Sequence, residues 1–326
     1  MMLRRSATAA AVVLALALPT WAGHESPFDP SYYPHEIRIE SMTAAAAAGP
    51  LGRAAIQAMV GGNPYAGRAT PPDVTPVESL DAYVVLTVNT ARLADRDARC
   101  AAVRRATGLL GAKHGFVFAP YPVTPYHPDY LAHADLAAAA RQAAAPSAGG
   151  SGTGNLVVTA GEPAAAALLG TSATAVPAGA GWDVRVETVS LRDLLAAHAT
   201  RFAGWIGPPW LKDGWYDAYL LMAGSVSERA ARSEVERAFG QLTSGEPRSE
   251  TDSVNLQRRL VSLLRQGCER AVAGYTTRRE YYSSAYSPGM ENVGFDAYDG
   301  FDSGIFVRTA KLKDFPWNGV LRLGIA

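Results

Sequence analysis

Fifteen residues between Tyr121 and Asp135 carry three tyrosines, two histidines, two aspartates and three prolines. His127, Asp129 and His133 offer imidazole and carboxylate, the donors that zinc and copper take. The histidines stand six positions apart, which does not bring them to one helix face, and Pro128 bends the segment. The same side chains can instead cap the helix that follows. A further use is ligand binding. The cluster trails a strand end, where α/β folds open their crevices, so Tyr126, His127 and Tyr130 form one candidate wall of a cleft.

A second wall is drawn from two other segments. Residues 203–219 space Trp205, Trp210 and Trp215 five apart among glycines and prolines. Such rings can hold a flat ligand, or pin a loop to the core. Residues 275–286 add Arg278, Arg279 and four tyrosines. Arginine forks onto carboxylate or phosphate, and tyrosine hydroxyls complete an anion site. The candidate wall is Trp210, Trp215, Arg278 and Tyr282. Asp296, Asp299 and Asp302 surround Gly300. Their spacing is not that of an EF-hand, and a turn with side-chain-to-backbone bonds is expected there. No G-x-S-x-G, H-E-x-x-H or C-x-x-C-H motif occurs. The Gly-rich run at 149–154 precedes a strand and lacks the ending of a phosphate loop.

The elements that must position these groups alternate. Ala82–Val88 is an apolar, β-branched run suited to a strand covered on both faces. A helix to about Leu110 follows, then a strand at Phe116–Phe118 and a helix from His133 to Ala144. Residues 61–79 read as a loop. Leu156–Val158 and Val184–Val189 read as strands. Ser190 with Asp193, and Ser225 with Glu228, form capping-box patterns ahead of helices. A long helix is expected from Ser253 to Tyr282. Strand character returns at Gly304–Val307 and Val320–Ile325, and Asn318-Gly319 marks a C-terminal β-hairpin.

Cys100 and Cys268 each fall on the apolar face of an expected helix. They admit two readings: a disulfide closing a very long loop, or two separate buried thiols.

Export sets the compartment. Arg4 and Arg5 precede an apolar run from Ala9 to Leu18, Pro19 breaks it, and Ala22 ends a small-residue cleavage site. The signal peptide is residues 1–22, and its loss moves the chain from a formal charge of zero to about −2. That balance gives no general attraction to nucleic acid. An apolar fraction of 48% builds a large core. No second apolar run reaches membrane-spanning length, so no direct insertion of the mature chain is expected.

The expected fold is α/β, with a largely parallel sheet flanked by helices and two lobes. Residues 23–36 form an extended arm, 37–147 a first lobe, 148–155 a flexible linker or insertion, and 156–326 a second lobe. In layout, with its signal peptide, alternating α/β body and aromatic-rich loops, the chain resembles exported solute-binding proteins. The resemblance implies a periplasmic or secreted protein that binds a small polar or anionic solute in a cleft and meets a membrane transporter. No cofactor is expected on this reading. One alternative is a metal-dependent periplasmic enzyme, or an accessory subunit of a periplasmic redox complex, with zinc or copper at His127, Asp129 and His133. Another is a structural partner in an exported complex.

Overall fold

The central strand explains the rest. Tyr83 and Val85 point to one face of it, and Val84, Leu86 and Val88 to the other. All five are buried. A strand buried on both faces needs helices on both sides of its sheet.

The structure is a computed structural model that describes residues 34–110, 115–144, 156–172, 181–198, 208–315 and 319–326. The expected signal peptide, most of the 23–36 arm, the 148–155 linker, Trp205 and Asn318 lie outside the described residues.

In chain order the first elements are β1 (Glu36–Ser41), α1 (Ala44–Gly52), β2 (Ala58–Val60), β3 (Val74–Val88), α2 (Arg96–Leu109), β4 (Phe116–Phe118) and α3 (Tyr130–Ala144). There follow β5 (Val158–Ala160), α4 (Pro163–Leu169), β6 (Val184–Ser190), α5 (Leu191–His198) and α6 (Gly214–Met222). The chain closes with α7 (Arg229–Thr243), α8 (Glu250–Gln266), β7 (Arg270–Ser283), β8 (Met290–Glu291), α9 (Gly304–Thr309), β9 (Lys311–Leu312) and β10 (Val320–Ile325).

One sheet of eight strands runs β1-β10-β2-β7-β3-β6-β5, with β4 also on β7. The α/β class with a helix-flanked sheet is borne out, and the sheet is mixed. Pairing is parallel at its two ends, in β1–β10–β2 and β5–β6. It is antiparallel through the centre, where β7 meets β2, β3 and β4, and β3 meets β6. β3 precedes the 148–155 segment while β6 and β7 follow it, so the sheet takes strands from both sides of that segment.

On one face, Tyr83, Val85, Val272 and Tyr275 pack against α3 and α5 to α8. On the other, Val84, Leu86, Val88 and Ala273 pack against α2 and α4. Toward β10, Phe306 of α9 covers Ala58, Val77 and Leu321. Leu51 of α1 covers Met59, Val74 and Tyr281 on the opposite side.

Five expected features differ. The helix expected to reach Tyr282 stops at Gln266, and β7 begins at Arg270. The apolar period of three to four ends at Leu264. Cys268 and Val272 continue it only by coincidence, and Cys268 takes φ +52° at the corner. The segment 74–79, expected as loop, is the first part of β3. Gly304–Val307 is helical, because Ser303 accepts the Phe306 N–H as an N-cap. Strands do form on either side of Asn318-Gly319, but in different sheets: β9 pairs with β8, and β10 with β1 and β2. The Ser225/Glu228 box is absent, since Glu228 is itself the N-cap and gives no side-chain bond.

Cys100 and Cys268 are joined, with alpha carbons 5.1 Å apart and a separation of 168 positions in sequence. The bridge ties α2 to the corner between α8 and β7.

Candidate functional site

A cavity of about 280 Å³ opens where β3, β6 and β7 meet the loop before α9. Local irregularity makes it. Opposite β7 the register of β3 slips between Leu80 and Ala82, so Asp81 is left unpaired. A bulge of this kind re-aims a side chain, and Asp81 stands exposed in the cavity wall. The Leu80 N–H donates to the Ala297 carbonyl at 2.8 Å, which fastens the 296–301 loop to the bulge. Ser190, Leu191, Arg192 and Leu195 approach from the β6–α5 junction, and Tyr298 and Asp299 from the loop.

Glu280 braces both rims. Buried on β7, it accepts the Gly61 N–H at 2.6 Å and the Phe301 N–H at 2.8 Å. Gly300, at φ +61°, is required there: a Cβ would stand 1.9 Å from Glu280 Oε2.

The charges in the wall are unevenly matched. Arg192 pairs with Asp302 at 2.8 Å. Lys212 holds Asp296 at 2.7 Å and Asp299 at 3.3 Å. Burial raises the Asp296 carboxyl, but Lys212 and the Tyr298 and Asp299 N–H groups outweigh it, and its pKa ends lowered. At Asp299 burial prevails over the longer Lys212 contact, and the pKa is raised. Arg278 is different. Its Nη2 donates to the Tyr298 carbonyl at 3.2 Å. Among the described residues its buried Nε has no partner, and no carboxylate forms a salt bridge with it.

Behind the cavity lies a buried polar cluster, separated from it by Tyr298. The Tyr298 hydroxyl donates to the Lys212 carbonyl at 2.7 Å and lies 3.3 Å from Asp217 Oδ2. Its ring meets His127 edge-on, 5.5 Å between centroids. His127 Nδ1 accepts the Thr124 N–H at 2.7 Å, which leaves Nε2 as the donor. Nε2 faces the Tyr83 hydroxyl at 2.9 Å and Asp217 Oδ2 at 3.2 Å. Burial, with Asp217 adding to it, pushes the Tyr83 and Tyr298 phenols well above their usual range. Among the described residues Asp217 Oδ1 has no partner.

The expected metal ligands are occupied separately. Asp129 accepts the Gly214 and Trp215 N–H groups at 2.8 and 3.2 Å and so caps α6. His133 Nδ1 bonds the Tyr121 hydroxyl at 2.8 Å, and its Nε2 is 3.9 Å from Asp129. Burial lowers the His133 pKa. His127 turns to Tyr83 and Asp217 instead. Among the described residues no three His, Cys, Asp or Glu side chains converge on a metal position. Asp129 therefore caps α6, some 85 positions on, and not the helix that follows it, because α6 offers two orphan amides.

Of the expected ligand-binding residues, Arg278 lines the cavity. Trp215 is only 1% exposed and His127 only 3%, which places both inside the core rather than on a wall. Tyr126, Tyr130 and Trp210 are half-buried and pack against that same core. Tyr126 meets Tyr275 edge-on, and Trp210 packs on Trp215 and Tyr216. Tyr282 lies apart, beside Phe301 under α9. Asp81, Ser190, Arg192, Tyr298 and Asp299 were not expected in the site. The aspartates at 296 and 299 gave a signal as turn residues, but the β3 bulge has none in the sequence.

No protein-family model matches the chain, and no curated protein is similar to it in sequence. Solved structures are similar in layout. The periplasmic binding protein DppA from Helicobacter pylori, in complex with peptide STSA, aligns with TM-score 0.43 and 12% identity over 83% of this chain and 55% of that one. The oligopeptide-binding protein AppA from Bacillus subtilis, in complex with a nonapeptide, gives 0.44 and 13% over 83% and 58%. NikZ from Campylobacter jejuni, in complex with Ni(L-His), gives 0.39 and 12% over 82% and 60%. The chain therefore spans little more than half the length of these proteins.

Proposed function

We propose that the chain is an exported protein that binds a small polar or anionic solute in the cavity beside Arg278. The observation that carries this reading is the half-buried Arg278 guanidinium, which has no carboxylate partner among the described residues. A guanidinium partly withdrawn from water without a counter-ion gives up some of its hydration, and an anionic or strongly polar ligand offsets that loss. Export is supported by the signal-like residues 1–22 and by the Cys100–Cys268 bridge, since disulfides persist in oxidising compartments. No helix among the described residues is long and apolar enough to cross a membrane. Delivery of the solute to a membrane transporter fits this reading.

The test is a thermal-shift and calorimetric screen of the mature chain against neutral sugars, amino acids, organic acids and short peptides. At least one solute should bind, and Arg278→Ala should weaken it by an order of magnitude or more. Binding that is indifferent to Arg278→Ala would move the site elsewhere.

A further inference from the structure

The size and charge of the cavity narrow the ligand further, on the reading that it binds a solute at all. We infer that the cavity selects a single small monocarboxylate bearing a hydrogen-bond donor at its far end, and that it excludes peptides of the kind seen in the similar structures.

Volume comes first. About 280 Å³ lies at or below the low end of ligand pockets, which run from about 300 to 1,000 Å³. Four peptide residues in extended form span about 13–14 Å, which a cavity of this volume, braced at both rims by Glu280, does not accommodate.

Charge comes second. The wall holds two cations, Arg192 and Arg278, and two carboxylates, Asp81 and Asp299. Arg192 is already paired with Asp302 and Asp299 with Lys212, so Arg278 is the cation left for an anion. One guanidinium matches one carboxylate, for which its planar fork is shaped. A dianion such as phosphate would meet Asp81 and Asp299 without a second unpaired cation. Asp81, exposed in the wall, accepts only the Thr276 hydroxyl at 3.3 Å among the described residues, and a carboxylate has further acceptor capacity, so it calls for a hydroxyl or ammonium on the ligand. Leu80, Leu191 and Leu195 leave room for a short apolar middle.

The experiment is calorimetry on the mature chain with three-to-six-carbon monocarboxylates. The set comprises plain, hydroxy- and amino-substituted acids, each beside its primary amide, with inorganic phosphate and a tetrapeptide as further probes. The expected result is binding of a substituted acid about 10- to 100-fold tighter than its amide, the range for hydrogen bonds to a charged group. The preference should fall at least tenfold in Arg278→Lys, which keeps charge but loses the fork. The hydroxy and amino arms distinguish the two donors. Should Arg278→Lys fail to fold, Asp81→Asn serves instead: Asp81 is exposed on a bulge, and its neutralisation should tighten plain carboxylates several-fold. Unchanged carboxylate affinity in Asp81→Asn overturns the inference. So does preferred binding of phosphate, the tetrapeptide or the amides, while leaving solute binding intact. If no solute in this set or in the wider screen binds, solute binding itself fails and the inference goes with it.

Discussion

The Tyr83 hydroxyl lies 3.0 Å from Asp217 Oδ2, and both side chains are fully enclosed. One comes from the central strand and the other from α6, so the contact fixes that helix on the sheet directly behind the cavity. Removing the hydroxyl in Tyr83→Phe strips a partner from a buried carboxylate and a buried imidazole, and is expected to cost about 1–3 kcal/mol. A double-mutant cycle of Tyr83→Phe with Asp217→Asn should return a coupling of about 0.5–3 kcal/mol in denaturant unfolding. Strict additivity would show that the contact does not couple the two elements.

Trp215 is the largest fully buried side chain among the described residues, and its indole N–H donates to Asp213 at 3.0 Å. Trp215→Ala should lower stability by about 3–5 kcal/mol, as large aromatic truncations do. Urea midpoints measure this. A loss below 1 kcal/mol would contradict its place in the core.

The bridge between Cys100 and Cys268 closes a loop of 168 residues, for which chain entropy gives about 4–5 kcal/mol. Because the chain holds two cysteines in all, reductant acts on this bond alone. The midpoint should fall on reduction, and the Cys100→Ser/Cys268→Ser double variant should match the reduced protein. Identical midpoints with and without reductant would show that the bond does not form.

Burial, followed by the nearby Asp129 carboxylate, raises Asp213 to about 6. Folded protein then holds a proton that unfolded protein releases, so this group's contribution is full below about pH 4 and lost as pH rises through 6. Asp213→Asn keeps an acceptor for Trp215 without the charge. The variant should therefore be more stable than the parent at pH 8, with the gap closing toward pH 4. His133 has the opposite sign, since its pKa is lowered by burial and its contribution is lost on acidification. The comparison with the variant separates the two. A gap that stays constant with pH would refute the Asp213 assignment.

Gly300→Ala places a methyl group against Glu280 and forces φ +61° on a non-glycine residue. The backbone alone should cost about 1–3 kcal/mol. Ligand binding at the cavity should weaken as well, because Glu280 can no longer hold the Phe301 N–H in place. Normal stability in this variant would mean the loop is free to shift.

The sequence by itself determined the strand Ala82–Val88 and the helices around residues 96–109 and 130–144, because each has one clear period or a continuous apolar run. It also named Arg278 and the two cysteines as groups with chemistry. It misjudged where α8 ends, since Cys268 and Val272 prolong a helical spacing that Gly267 and the left-handed corner break. It read Trp215 and His127 as ligand contacts, whereas neighbours distant in sequence bury them: Asp217 and Tyr83 for His127, Phe239 for Trp215. Only the tertiary structure decided which polar groups reach solvent and which satisfy one another. The cavity depends on a β-bulge at Asp81, a brace from Glu280 to two loops, and a loop held by Lys212. The brace reaches Gly61, 219 positions away, and Phe301, 21 away, Lys212 reaches Asp296 across 84, and the bulge is a slip in register; none of these leaves a local pattern in the chain.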